Sequence, residues 1–145
     1  MSPDIIDAKE SDYLYIADSQ IPNAGNGLFV SIPIFKDEVI SLFKGEVLTD
    51  AEAARRAGRG EDGYFINRLD GAILDSMHVK CFAKYANDPA GTGHGLVKTR
   101  FKSNADISLD DDENICLIAT RNIKAGEEIF CGYGKKYWEK RTLAR

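Results

Sequence analysis

The sequence predicts a mostly β domain. Short runs rich in β-branched and aromatic residues recur along the chain, broken by glycine, proline and clusters of charge. Helix signals are few and brief. At 145 residues, 43% of them hydrophobic, the chain suits one domain with a real core and is too apolar to stay disordered.

YLYIADS (13–19), GLFVSIPIF (27–35) and VISLFKGEVL (39–48) read as strands. TDAEAARRAG (49–58) reads as a short helix, because Thr49 is a good N-cap, Glu52 completes a capping box and Gly58 supplies the stop. In YFINRLDGAILDSM (64–77), Asp70-Gly71 separates two strand-like runs, a hairpin signal. VKCFAKYAND (79–88) suggests a helical turn, and PAGTGHG (89–95) a loop. Strands over 96–108 and 114–120 flank an acidic turn, DDDEN (110–114). NIKAGEEIF (122–130) is a turn into a strand, and KKYWEKRTLAR a short C-terminal helix. No internal repeat or low-complexity linker interrupts this order.

Composition narrows the function classes. Nineteen basic against 23 acidic residues give a net charge of −4, which argues against a phosphate-backbone binder and suits a basic peptide partner. No apolar run nears the roughly 18 residues of a membrane span. The acidic start, MSPDIIDAKE, is not a signal peptide. Cys81, Cys116 and Cys131 show no C-x-x-C spacing, so neither a zinc knuckle nor a disulfide framework is expected, and an intracellular setting is.

Chemistry-bearing motifs are sparse. In AGNGLF (24–29), Gly25 and Gly27 let a ligand approach the backbone, or mark a plain turn; no helix follows, so this is not a dinucleotide fingerprint. GTGHG (91–95) lacks the Lys-Ser/Thr ending of a phosphate loop. His78 and His94 have no metal-ligand spacing, and no serine sits in a nucleophile-elbow context. The acidic turn is a solvated hairpin tip or an attractor for a basic peptide. FCGYGKKYW (130–138) gathers the rings of Tyr133, Tyr137 and Trp138 beside a glycine-flanked bend, either as core at a chain end or as the wall of a pocket.

Taken in order, AGNGLF, FKGE (43–46), the hairpin opened by Tyr64, FAKYANDP (82–89), SNA (103–105), AGEEIFCGYG (125–134) and KKYW resemble the SET-domain protein lysine methyltransferases over about residues 13–138. The compact length is similar to stand-alone SET proteins without zinc-binding flanking regions. The resemblance implies a mostly β, β-clip-like fold of several small sheets and few short helices, with a C-terminal pseudoknot. Residues 1–12 would be an N-terminal extension and 139–145 a tail. It implies S-adenosylmethionine as cofactor, no metal, and a protein substrate with an accessible lysine, such as a histone tail. The setting would then be nuclear for a histone substrate and cytoplasmic otherwise. No nucleic acid or membrane partner is implied, and monomer and homodimer stay open.

Carried across by position, Ala24, Gly25, Asn26 and Gly27 fall on the backbone segment that contacts the cofactor. Tyr64, Lys84, Tyr85, Asn87, Asp88 and Tyr137 fall on further cofactor positions. Phe43, Cys131, Tyr133 and Trp138 fall on the lysine channel, with Tyr133 the catalytic residue. K-Y-A-N-D stands where the family has R-F-x-N-H, so Asp88 replaces a histidine. Phe43 stands where the family has a tyrosine, and the segment before SNA carries no zinc-ligand cysteine. Two other readings stay open beside the enzyme: a catalytically silent module that binds a lysine peptide or cofactor, and an interaction domain without cofactor.

Overall fold

The computed structural model describes residues 4–68, 71–89 and 101–132. Ten short strands form three sheets: β1 (Asp4–Ile5), β2 (Leu14–Asp18), β3 (Asn26–Val30), β4 (Glu38–Leu42), β5 (Glu46–Leu48), β6 (Phe65–Asn67), β7 (Ile73–Asp75), β8 (Ala105–Leu109), β9 (Ile115–Ala119) and β10 (Glu128–Ile129). Their orders are β1-β4-β9-β8, β10-β3-β2 and β5-β7-β6. Every pairing is antiparallel except β1 with β4. Helices α1 (Glu10–Tyr13) and α2 (Asp50–Gly58) and a 3₁₀ turn at Ala83–Tyr85 complete the described chain.

Burial explains the strand pattern. In β3, Gly27 to Val30 are all buried, because this strand lies between β2 and β10 and is covered on both faces. Leu28, Val30, Ile34, Ile40, Leu117, Ile123 and Ile129 form the centre of one core, each essentially without solvent contact. Each such side chain contributes about 1.5–3 kcal/mol relative to exposure. A second, smaller cluster of Leu48, Ala53 and Phe65, flanked by Ala57 and Ile73, seats α2 against the β5-β7-β6 sheet.

Several expectations change in detail. The run 39–48 is not one strand, since β4 and β5 belong to different sheets. The break lies at Lys44-Gly45, where a Cβ on Gly45 would stand 2.5 Å from the Asp75 carbonyl oxygen; only glycine lets the two backbones pass. The run 27–35 ends as a strand at Val30, and Ile34 instead bridges to Ile123. The expected helical turn narrows to Ala83–Tyr85. The N-terminal segment is tied to the sheet, through β1 and through Glu10, whose carboxylate accepts from Ser41 Oγ at 2.5 Å and Leu42 N at 3.1 Å. The expected C-terminal helix, GTGHG with His94, and Asp70 lie outside the described residues.

Candidate active site

The hairpin of β2 and β3 presents the glycine segment. Its loop closes where Ser19 N–H donates to Gly25 O at 2.8 Å, just beyond the Asp18–Asn26 pair. Gly25 has φ +73, and a Cβ built there would meet nothing within 4 Å. Its backbone therefore borders open space. Gly27 is needed for the opposite reason: a Cβ there would collide with the Glu128 carboxyl, at 2.9 Å from its Cδ.

Two further segments come to this loop. Asn87 Nδ2 donates to Asn26 O at 3.0 Å, and Cys131 N donates to Asn87 O at 2.9 Å. Asn87 and Phe130 form a parallel bridge, as do Ala105 and Cys131. Asn104, fully buried, holds the latter segment with three bonds: its Nδ2 donates to Glu128 O at 2.9 Å, its Oδ1 accepts from Phe130 N at 2.8 Å, and its N donates to Phe130 O at 2.9 Å. AGNG, KYAND, SNA and EEIFC, far apart in sequence, are thus fastened to one another by backbone and amide bonds.

Lys84 is held at the loop after β7. Its ammonium donates to the carbonyls of Ser76 (3.0 Å), Met77 (3.3 Å) and Val79 (3.1 Å), which uses all three of its donors. The same nitrogen lies 5.6 Å from the ring centre of Tyr64 and 5.4 Å from that of Tyr85, within cation–π range. Lys84 thereby brings both rings to the loop after β7. That loop is fixed from its other end: Asp75, fully buried, accepts from Met77 N at 3.0 Å and from Arg56 Nη1 at 2.7 Å.

The remaining residues divide. Phe43 and Cys131 are buried, and Phe43 N donates to Ile115 O at 2.9 Å. Burial, followed by the charges of Asp106 and Asp88, pushes the Cys131 thiol up to about 12, so it is no nucleophile at neutral pH. Asp88 is buried as well. Ala24 is half-buried, Asn26 and Tyr64 are exposed, and Tyr85 and Asn87 are half-buried. Phe43 also floors a cleft of about 270 Å³ with Leu74 and Ile115, rimmed by Arg68, Asp112, Glu113 and Asn114. Tyr133, Tyr137 and Trp138 lie outside the described residues. Among the described residues no group of His, Cys, Asp and Glu could hold a metal ion, and no helix is long and apolar enough to cross a membrane.

Sequence reasoning did not single out Glu128 or Asn104. Both are polar and both are buried, at 2% and 0% exposure. A carboxylate next to another in EEIF reads as surface, since glutamate is almost never fully buried without a partner.

The SET domain sequence model matches residues 25–134, well over half of the chain. The chain is 30% identical over 113 residues to histone-lysine N-methyltransferase mes-2 of Caenorhabditis elegans, covering 76% of this chain and 14% of that protein. It is 26% identical over 135 residues to histone-lysine N-methyltransferase SETD7 of Halocynthia roretzi, covering 90% and 34%. Against histone-lysine N-methyltransferase EZH2 of Chaetomium thermophilum it is 27% identical over 129 residues, covering 82% and 8%. The chain thus spans between 8% and 34% of the length of these relatives. Among solved structures, a humanized mutant of the Chaetomium thermophilum Polycomb Repressive Complex 2 bound to an inhibitor superposes with TM-score 0.66 at 25% identity, over 83% of this chain and 15% of that one. Fold, motif order and sequence match agree, and the chain belongs to the SET-domain family.

Proposed function

We propose that the chain is an S-adenosylmethionine-dependent protein-lysine N-methyltransferase that acts on a histone tail, with residues 13–138 as its catalytic domain. The observation that carries this reading is the fastening of Asn26, Asn87 and Phe130-Cys131 into one site beside the open backbone of Gly25. The names of the similar proteins, all histone-lysine methyltransferases, support it.

The residues fit the cofactor. Open backbone at Gly25, Asn87 bonded to Asn26 beside it, and the rings of Tyr64 and Tyr85, each in contact with Lys84, suit a flat base with a polar tail. When bound, S-adenosylmethionine supplies a methyl group on a sulfonium. The chain has to deliver a neutral lysine amine in line with it. A free lysine has a pKa of about 10.4. By the family resemblance Phe43, Cys131 and Trp138 would wall the lysine channel, and such walls would disfavour the ammonium by desolvation. The Tyr133 hydroxyl orients the amine, and holding both reactants in line supplies roughly 7–11 kcal/mol. Asp112 and Glu113, at the rim of the cleft floored by Phe43, suit a lysine-rich tail by charge.

Calorimetric titration with S-adenosylmethionine, paired with methyl transfer on mixed core histones, tests the reading. Tyr133→Phe should keep cofactor affinity and lower turnover by roughly ten- to a thousandfold. Near-normal turnover removes Tyr133 from the mechanism, and absent cofactor binding by the native chain removes the enzyme reading. Binding without turnover on any histone favours the silent module, which the Phe43 and Asp88 departures motivate.

A further inference from the structure

Glu128 is the most deeply buried charge-bearing side chain beside the site, apart from Asp75. Asp75 is matched by Arg56, but among the described residues no cation pairs with Glu128. Its carboxyl is taken up by the glycine loop instead. Ser19 Oγ donates to Oε2 at 2.6 Å, and Gln20 N donates to Oε1 at 2.7 Å. The same Ser19 hydroxyl accepts from Ile21 N at 3.1 Å, so the bonding runs on into the turn. Beneath the carboxyl lies Gly27, which has room for no side chain there. The backbone of Glu128 is fixed independently, since its carbonyl accepts from the buried Asn104 amide and β10 pairs with β3 through Glu128–Phe29.

A side chain so placed joins a rigid strand to a loop that lacks regular structure. Apart from the Ser19–Gly25 closure and a 3.2 Å bond from Ala24 N to Ile21 O, the loop from Ser19 to Gly25 has few bonds of its own. We propose that Glu128 is the positioning residue that sets the shape of the glycine loop, and thereby the affinity of the chain for its cofactor. This rests on the reading that the loop holds S-adenosylmethionine. Glu128 touches neither cofactor nor substrate in this account. It acts through Ser19, Gln20 and Gly27.

The geometry makes a sharp demand on the pair Gly27 and Glu128. Gly27→Ala must push the carboxyl off its two donors, whereas in a Glu128→Ala background that collision partner is gone. A double-mutant cycle on the full chain, with cofactor dissociation constants by calorimetry and amide hydrogen exchange without cofactor, tests this. Each single variant should weaken cofactor binding about tenfold or more and speed exchange at Gln20 and Ile21. In the double variant, Gly27→Ala should add less than threefold to the loss caused by Glu128→Ala. Glu128→Gln, which keeps the shape and an acceptor for Gln20 N–H, should recover most of the affinity. In Glu128→Ala the KM for cofactor should rise while kcat stays within about threefold.

Unchanged exchange at Gln20 and Ile21 in folded Glu128→Ala overturns the proposal, as does full additivity in the cycle. If the native chain binds no cofactor, the functional reading falls. The exchange data then still decide whether Glu128 shapes the loop.

Discussion

Asn87 spends its amide on the Asn26 carbonyl and its own carbonyl on Cys131 N–H, so a single residue ties its own segment to two of the other three around the candidate site. Removing that amide should reach the cofactor through the loop. Asn87→Ala is expected to weaken S-adenosylmethionine binding by about 1–3 kcal/mol, read by calorimetry on a folded variant. Ser76 offers the opposite case. Its hydroxyl is fully buried and finds no hydrogen-bond partner among the described residues, while its carbonyl serves Lys84. Ser76→Ala should therefore leave stability unchanged or raise it by about 1 kcal/mol, seen as a shifted urea midpoint; a clear loss would reveal a partner for the hydroxyl. At this scale the sequence was legible where glycine was concerned and opaque where burial was. Gly25 and Gly27 stand out in AGNGLF, but the reason Gly27 must be glycine is the carboxyl of Glu128, about a hundred positions away, which no local pattern shows. Lys84 was legible as part of K-Y-A-N. That its ammonium is spent on three carbonyls follows only from the path of the loop after β7.

Among the elements, α2 was the best specified. Thr49 Oγ1 accepts from Glu52 N at 3.2 Å, as the cap signal requires, and the hydroxyl donates to the Glu52 carboxylate at 3.1 Å. The usual return bond from Glu52 to the cap backbone is replaced by this hydroxyl contact. Thr49→Ala should lower stability by about 1 kcal/mol in a urea titration, and no loss would show that packing on Leu48 and Phe65 suffices to hold the helix. The strands were legible as apolar runs, yet their ends were not. β4 and β5 separate because Gly45 passes close to Asp75, a constraint set by β7 rather than by the run itself. The hairpin of β6 and β7 formed as Asp70-Gly71 suggests, with Gly71 at φ +86. The short β1 and α1 went unseen because β1 is a two-residue pairing with β4 and α1 is one turn, held by the Glu10 carboxylate against Ser41 and Leu42.

At the scale of the molecule, three small sheets share one core, and the ionisable groups inside it predict an alkaline limit. Burial, with some help from Asp110, pushes the Cys116 thiol up to about 11. Cys131 reaches about 12, and burial raises Tyr13 as well, followed by the charges of Glu10 and Glu38. All three are held neutral in the fold, while unfolded thiols ionise near about 8.5 and tyrosine near about 10. Raised folded values mean full stability below the unfolded values and progressive loss as pH climbs through the folded ones. The thermal midpoint should thus fall from about pH 9 onward, and Cys116→Ala should make that fall less steep. An equal slope in both proteins would contradict this. The mostly β class was legible from strand runs alone; the SET arrangement was legible only as an order of motifs, since each of AGNG, KYAND and EEIFCGYG taken singly is common. Its site assembles from bonds between those motifs, and the proposed chemistry follows from what they enclose. Mass spectrometry of core histones incubated with the native chain and excess S-adenosylmethionine tests that chemistry most directly. The account predicts lysine methylation that proceeds past one methyl, because Phe43 lacks a hydroxyl and Cys131 is small, and that slows roughly ten- to a thousandfold in Tyr133→Phe. Histones left unmodified by a folded chain that binds the cofactor would contradict it.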